Sequence, residues 1–248
     1  MTELIEMESA IDRSKEADEG MPFFTIIEGD VPMLLTAPHG NNHFRNGVLK
    51  YGEEFTSTFA RYLAEQMGCS AIFTTHLSPE DGNWGEVGVF KSAVSQLVKK
   101  HSIHTLIDIH GMRNTNMIGV AIGTMNGQSY KGEDEMLLEP FVEQGFVKSA
   151  VTDFDWFDWR RIVLNHPKFT GGLKSNTLTR FASETLGISA FQIELTSAVR
   201  VPHSLPDDGW PYEYFGDPVA IQKSINALLN LIHSILSSPP HDCDKIIL

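Results

Sequence analysis

Short apolar runs alternate with longer amphipathic stretches along most of this chain, and that alternation constrains the fold more than any other feature. Residues 32–37, 69–75, 105–109 and 188–195 are runs of mostly apolar residues, the right length for buried strands. Between them, Phe55, Phe59, Tyr62, Leu63 and Met67 recur at helical spacing over residues 53–67, with Gly68 as the expected C-cap, and residues 90–101 form another helical stretch. Strands alternating with helices call for a sheet covered on both faces. The expected architecture is therefore α/β, three layers of α/β/α with a mixed, largely parallel central sheet.

The remaining elements follow the same logic. Residues 23–27 and 32–37 flank a Gly29-Asp30 dipeptide and read as a hairpin. Residues 117–123 suggest a strand, 134–150 a helix, and 175–186 a helix capped by Ser175 or Asn176. Residues 218–236 open on Pro218 and repeat Ile, Leu and Ala on one face, so this helix should cover the sheet. Residues 1–21 are an acidic, flexible N-terminal segment outside the core, and 237–248 a C-terminal tail. One domain, residues 22–236, lies between them.

Charge and cysteine usage narrow the partners. With 32 acidic and 19 basic residues the formal net charge is -13, so the overall field repels phosphate backbones and anionic membrane surfaces. Nucleic acid and membrane are not expected partners, although one buried arginine can still dominate a pocket for a small anion. Cys69 and Cys243 are the only cysteines, which argues against a disulfide framework and a Cys-based metal site and for a cytoplasmic setting. The chain opens on Glu3, Glu6 and Glu8, unlike a secretory signal, and no apolar run is expected to reach bilayer length.

Three ionisable residues stand at the carboxyl ends of three expected core strands: His39 after residues 33–37, His110 after 105–109, and Glu194 late in 190–195. Open α/β sheets bind their ligands at such strand ends. A single histidine there is more often hydrogen-bonded than metal-bound; three coincident strand ends favour a site. Gly40 and Gly111 directly follow the two histidines and leave room beside the imidazoles, while Pro38 stiffens the approach to His39. Asp108 shares a strand face with His110 and can accept its second ring proton. Two histidines and a carboxylate with an open fourth position suit a catalytic zinc. Asn42, His43, Glu53 and Glu54 are all candidates for the third ligand, and spacing alone does not choose among them.

Five motifs in order, Thr36-Ala-Pro-His-Gly40, Asp108-Ile-His-Gly111, Ile118-Gly-Val-Ala-Ile-Gly-Thr124, His166-Pro-Lys-Phe-Thr-Gly-Gly172 and Phe191-Gln-Ile-Glu-Leu195, resemble the N-formylglutamate amidohydrolase family. That family is akin to zinc carboxypeptidases and aspartoacylases, and the resemblance covers about residues 22–200. It implies a zinc exopeptidase-like fold, one divalent metal ion with Zn2+ foremost, and an N-acyl amino acid or small peptide as substrate. It implies His39 and His110 as metal ligands and Glu194 as general base and acid. In carboxypeptidase-like relatives the ligand carboxylate stands three residues after the first histidine, where this chain has Asn42. Formylglutamate hydrolases use an acidic residue near the start of the next helix, which favours Glu54, with Glu53 second.

Substrate contacts are expected from Arg113, which follows the His110-Gly111 turn, from Arg200, which follows the Glu194 strand, and from the Gly171-Gly172 turn. Asp81 and Asn83 occupy a loop that can line the same crevice. The aromatic stretch 153–161 can serve as a substrate wall, although packing is the commoner fate of such density. Two other functions compete with amide hydrolysis: an esterase or other deacylase at the same site, and a degenerate metal- or ligand-binding domain, which Asn42 encourages.

Overall fold

In the computed structural model, the described residues are 1–150, 154–202 and 216–237. Along the chain they form α1 (Thr2–Ser9), β1 (Phe24–Ile27), β2 (Val31–Ala37), β3 (His43–Arg45), β4 (Val48–Lys50), α2 (Thr56–Met67), β5 (Cys69–Thr74), α3 (Val89–Lys100), β6 (Thr105–Met112), β7 (Ile118–Gly123), α4 (Asp134–Glu143), β8 (Val147–Lys148), β9 (Asp158–Leu164), α5 (Leu178–Glu184), β10 (Ser189–Thr196) and α6 (Pro218–Ser237). Eight strands make one sheet in the order β1-β5-β2-β6-β10-β7-β9-β8, and β3 with β4 forms a separate ribbon. Within the large sheet only β1 with β5 and β10 with β7 run antiparallel. The expected mixed, largely parallel sheet is what the chain forms.

Successive strand residues point to opposite faces, and the core divides accordingly. Met33, Leu35, Ala37, Ile107, Ile109, Phe191, Ile193 and Leu195 pack with residues of α2, α4 and α6. Leu34, Ile72, Leu106 and Ala190 pack on the other face with residues of α3 and α5. This gives the three layers. Thr36, Asp108, His110, Gln192 and Glu194 lie on the second face, further along the same strands, where polar groups replace the apolar ones. In α2, Phe59 is buried at 1% exposure; truncating it to Ala would cost about 3–5 kcal/mol through lost burial and the cavity left behind.

Several expectations need correcting. The 23–27 and 32–37 strands are not a hairpin, because β5 lies between β1 and β2 and pairs with both. The 134–150 helix stops at Glu143; Gly145, at φ +88°, turns the chain into the short strand β8. Residues 175–186 yield only α5, and its cap is Thr177, whose hydroxyl accepts from Arg180 N–H. The N-terminal segment is not outside the core: Leu4 joins the larger apolar cluster, and Glu8 and Arg13 are buried. Helix α6 does reach membrane-spanning length and composition, with mean hydropathy 1.2, but 44% of that window is buried inside the fold, as expected for a helix covering the sheet. Cys243 and all of the expected tail except Ser237 lie outside the described residues.

Candidate active site

Adjacent parallel strands β2, β6 and β10 bring the three ionisable residues together. Register places Thr36 beside Asp108, Gln192 beside Asp108, and Glu194 beside His110. His39 lies two residues beyond the end of β2. Its neighbour Gly40 has no space for a side chain, since a Cβ there would sit 1.8 Å from Ser57 Oγ.

Glu53 is the carboxylate that meets both imidazoles. Its Oε1 is 3.1 Å from His39 Nδ1 and its Oε2 is 3.3 Å from His110 Nδ1. The backbone fixes this residue from both sides: Glu53 N–H donates to His39 O at 2.7 Å, and Glu53 O accepts from Thr56 N–H and Oγ1. Gly111 N–H donates to Oε2 at 2.8 Å. Phe55 adopts a left-handed conformation, φ 61°, so α2 begins only at Thr56 and Glu53 stands on the loop before it.

Each histidine is held at its far nitrogen by a further carboxylate. His39 Nε2 lies 2.8 Å from Asp81 Oδ1, and His110 Nε2 lies 2.8 Å from Asp108 Oδ2. Asp108, fully buried, also accepts from Thr36 Oγ1 at 2.6 Å. Asp81 accepts from Arg45 Nε and from Asn83 N–H, and the Arg45 guanidinium lies over the Trp84 ring. Asn83 Nδ2 is 3.2 Å from His110 Nε2, while its Oδ1 accepts from Leu178 N–H at the start of α5. A histidine that presents one ring nitrogen to a shared point, with the other fixed by a carboxylate, has the orientation and basicity of a metal ligand.

Charge follows the same pattern. Burial disfavours a charged His39, but the Glu53 charge and the bonds to Asp81 and Glu53 outweigh it and hold the imidazole up at about 9. Burial likewise opposes charge on His110, and Asp108 and Glu53 raise it well above the usual histidine range. Burial would lift the Glu53 and Asp81 carboxyls, yet the neighbouring histidines hold both far below theirs. Glu194 goes the other way: burial pushes it up to about 7, with His110 opposing and Glu53 adding. Glu53 and Glu194, which both stand beside His110, thus sit at opposite ends of the carboxyl range, which is how neighbouring acids acquire different chemical roles.

The donor set fits a metal. Ligand atoms of His39, Glu53 and His110 all lie within 4.8 Å of one another, as do those of His39, His43 and Asp81. The two groups share His39, which reaches Asp81 through Nε2 and Glu53 through Nδ1. Imidazole and carboxylate donors in this number suit zinc and its divalent neighbours.

The sequence-level candidates are placed as follows. Glu54 is buried one residue from Glu53 and belongs to neither group. Asn42 Oδ1 accepts from Gly52 N–H at 2.8 Å and so supports the loop ahead of Glu53. His43 stacks on His39, ring centroids 4.4 Å apart, and faces Asp81. A cavity of about 420 Å³ opens beside Glu53 and is lined in part by Glu54, Arg113, Ser197 and Arg200. Arg200 is 5% exposed; its Nε donates to Leu195 O, and its Nη1 has no hydrogen-bond partner among the described residues. Gly171 and Gly172, at φ +83° and +125°, pack near Gly123 and Thr177 and do not line this cavity. In the aromatic stretch, Asp153 lies outside the described residues, Arg161 sits against the Phe154 and Trp156 rings, and Trp159 packs on Phe146. Phe154 and Trp159 pack against the core, while Trp156 is exposed.

No protein-family model and no curated protein sequence matches the chain. Among solved structures it is similar to a bacteriophage poly-gamma-glutamate hydrolase, at 15% identity and TM-score 0.47 over 89% of this chain and 92% of that one. It is similar to a metallo-carboxypeptidase from Pseudomonas aeruginosa, at 13% identity and TM-score 0.46 over 94% and 68%. A succinylglutamate desuccinylase from Chromobacterium violaceum matches at 13% identity and TM-score 0.46 over 98% and 79%.

Proposed function

We propose that this chain is a metal-dependent hydrolase that cleaves the amide bond of an N-acyl amino acid or small peptide, with one divalent metal, Zn2+ foremost, held by His39, Glu53 and His110. The observation that carries this reading is the pair of Nδ1 atoms on one Glu53 carboxylate, each ring backed at Nε2 by its own aspartate. Relative to the sequence expectation, Glu53 replaces Glu54 as the third ligand. When bound, the metal supplies Lewis-acid polarisation of a carbonyl and acidification of water.

Glu194 is then the proton carrier. Its carboxylate, buried beside His110, takes the proton of the attacking water and returns it to the departing amine. Gln192 Nε2 donates to Glu194 Oε1 at 3.2 Å and orients the carboxyl. Arg200, whose Nη1 has no partner in the described structure, is the stronger candidate for a substrate carboxylate, with Arg113 at the rim of the same cavity. Asn42, which favoured a degenerate binding domain, has a backbone-supporting task, and Glu53 fills the ligand role it lacks. A buried, free Cys69 is in keeping with a cytoplasmic enzyme.

Metal analysis of the purified protein, followed by a panel of N-acyl amino acids, dipeptides and matched esters, tests the reading. Glu194→Gln should keep the metal and lose hydrolysis by roughly a hundredfold or more. Loss of the metal along with activity would make Glu194 a ligand instead, and equal turnover would remove it from the reaction.

A further inference from the structure

Glu8 is a fully buried carboxylate in a segment whose composition suggests a solvated tail. It accepts from Phe55 N–H at 2.7 Å and from Thr58 Oγ1, and it is paired with the buried Arg13. Helix α2 has no side-chain cap of its own. Glu8, 47 residues upstream of Phe55, fills that place, with its negative charge at the positive end of the helix.

The residues after Glu8 reach two more loops of the site. Asp12 O accepts from Asn41 Nδ2 at 3.1 Å, two residues beyond His39. Lys15 O accepts from Leu77 N–H at 2.8 Å, and Glu16 bridges to Leu77, at the start of the loop that carries Asp81. One short segment therefore fastens the loops of His39, Glu53 and Asp81, and the helix α1 that carries Glu8 is anchored by Leu4 in the apolar core.

We infer that residues 8–16 form a clamp that sets the metal centre, with Glu8 as its principal positioning residue. This rests on the reading that His39, Glu53 and His110 hold a metal. Left-handed Phe55 sits between Glu53 and the helix, and its N–H bond to Glu8 fixes where the chain turns. With that bond removed, the Glu53 loop gains freedom, and a carboxylate that must meet two imidazoles at once loses its pre-set position.

The test measures Zn2+ affinity by competition with a chromogenic chelator and records the visible spectrum of the Co2+-substituted full-length protein, for the parent, Glu8→Ala and Leu137→Ala. Leu137→Ala is the control, since Leu137 is buried in α4, a helix that packs on α6, β8 and β9 and not on Glu8 or the three loops. Glu8→Ala should lose about tenfold or more in affinity, the size seen when support behind a ligand is removed, and should shift the Co2+ spectrum. Leu137→Ala should lower thermal stability and leave the spectrum as in the parent. If Glu8→Ala fails to fold, the isosteric Glu8→Gln decides, with an expected affinity loss of about threefold because a neutral amide is the weaker acceptor and leaves Arg13 unpaired. Parent-like affinity and spectrum in the folded variant would overturn the clamp, as would equal losses in Leu137→Ala. A parent that binds no metal would overturn the metal reading and the clamp with it.

Discussion

Glu194 stands directly beside His110 across the parallel pairing of β10 with β6, one residue pushed up to about 7 by burial and the other held charged by Asp108 and Glu53. A base of this kind works only after losing its proton. Hydrolysis should therefore fall off on the acid side with unit slope, because below its pKa the Glu194 carboxyl is protonated. A cation in the site lowers that pKa as His110 does, so the midpoint should lie between the ordinary 4.5 and about 7. The dependence of kcat/KM on pH checks this, and a profile flat down to pH 4.5 would rule Glu194 out as the base.

Glu53 and Glu54 are neighbours with different surroundings, and metal content separates them. Glu53→Gln should strip most of the metal, since it replaces the only carboxylate among the described residues that meets both imidazoles. Glu54→Gln should retain it. Elemental analysis after dialysis gives the answer, and the reverse pattern would restore Glu54 as the ligand.

Asp81 and Asp108 act behind the histidines. Asp81→Asn and Asp108→Asn should each weaken metal binding by about ten- to a hundredfold while leaving the ligand atoms in place. Asp108→Asn should also lower thermal stability, because Asp108 is fully buried and shared with Thr36. Chelator competition together with thermal unfolding of the metal-free proteins distinguishes the two effects.

Arg200 predicts a preference for substrates with a free carboxylate over their neutral amides. A charge-assisted bond in a partly desolvated pocket contributes about 1.5 to 3 kcal/mol, or roughly ten- to a hundredfold in kcat/KM. Burial lowers the Arg200 pKa, a sign of the desolvation that makes such a bond strong. Arg200→Ala should erase the acid-to-amide ratio and keep the metal. Arg113, exposed at the rim, should matter less, and an unchanged ratio in both variants would place carboxylate recognition elsewhere.

The strands that build the centre were legible because β2, β5, β6 and β10 are buried on both faces and so read as continuous apolar runs. Pairing was not. Strands adjacent in sequence, such as β1 and β2, are separated in the sheet by β5, which no local pattern announces. Strand β9 was hidden by Arg160 and Arg161, although Ile162-Val163-Leu164 before Asn165 was a usable signal; Arg161 is tolerated there because Met117 and Trp156 carbonyls accept its guanidinium. The choice between Glu53 and Glu54 depended on helical phase, and Phe55 at φ 61° removes Glu53 from the helix altogether. Glu8 was unreadable for a simpler reason: its partners, Phe55 and Thr58, come from far along the chain.

Strand β10 enters the sheet between β6 and β7, two strands that precede it in the chain. During synthesis β6 and β7 therefore leave the ribosome without the strand that will join them, each with an open edge that invites wrong pairing. Closure has to wait for residues 189–196, the same stretch that delivers Glu194. A nascent chain arrested before Ser189 would carry His39, His110 and Glu53 but not Glu194, so the proposed metal ligands are all made before the proposed proton carrier.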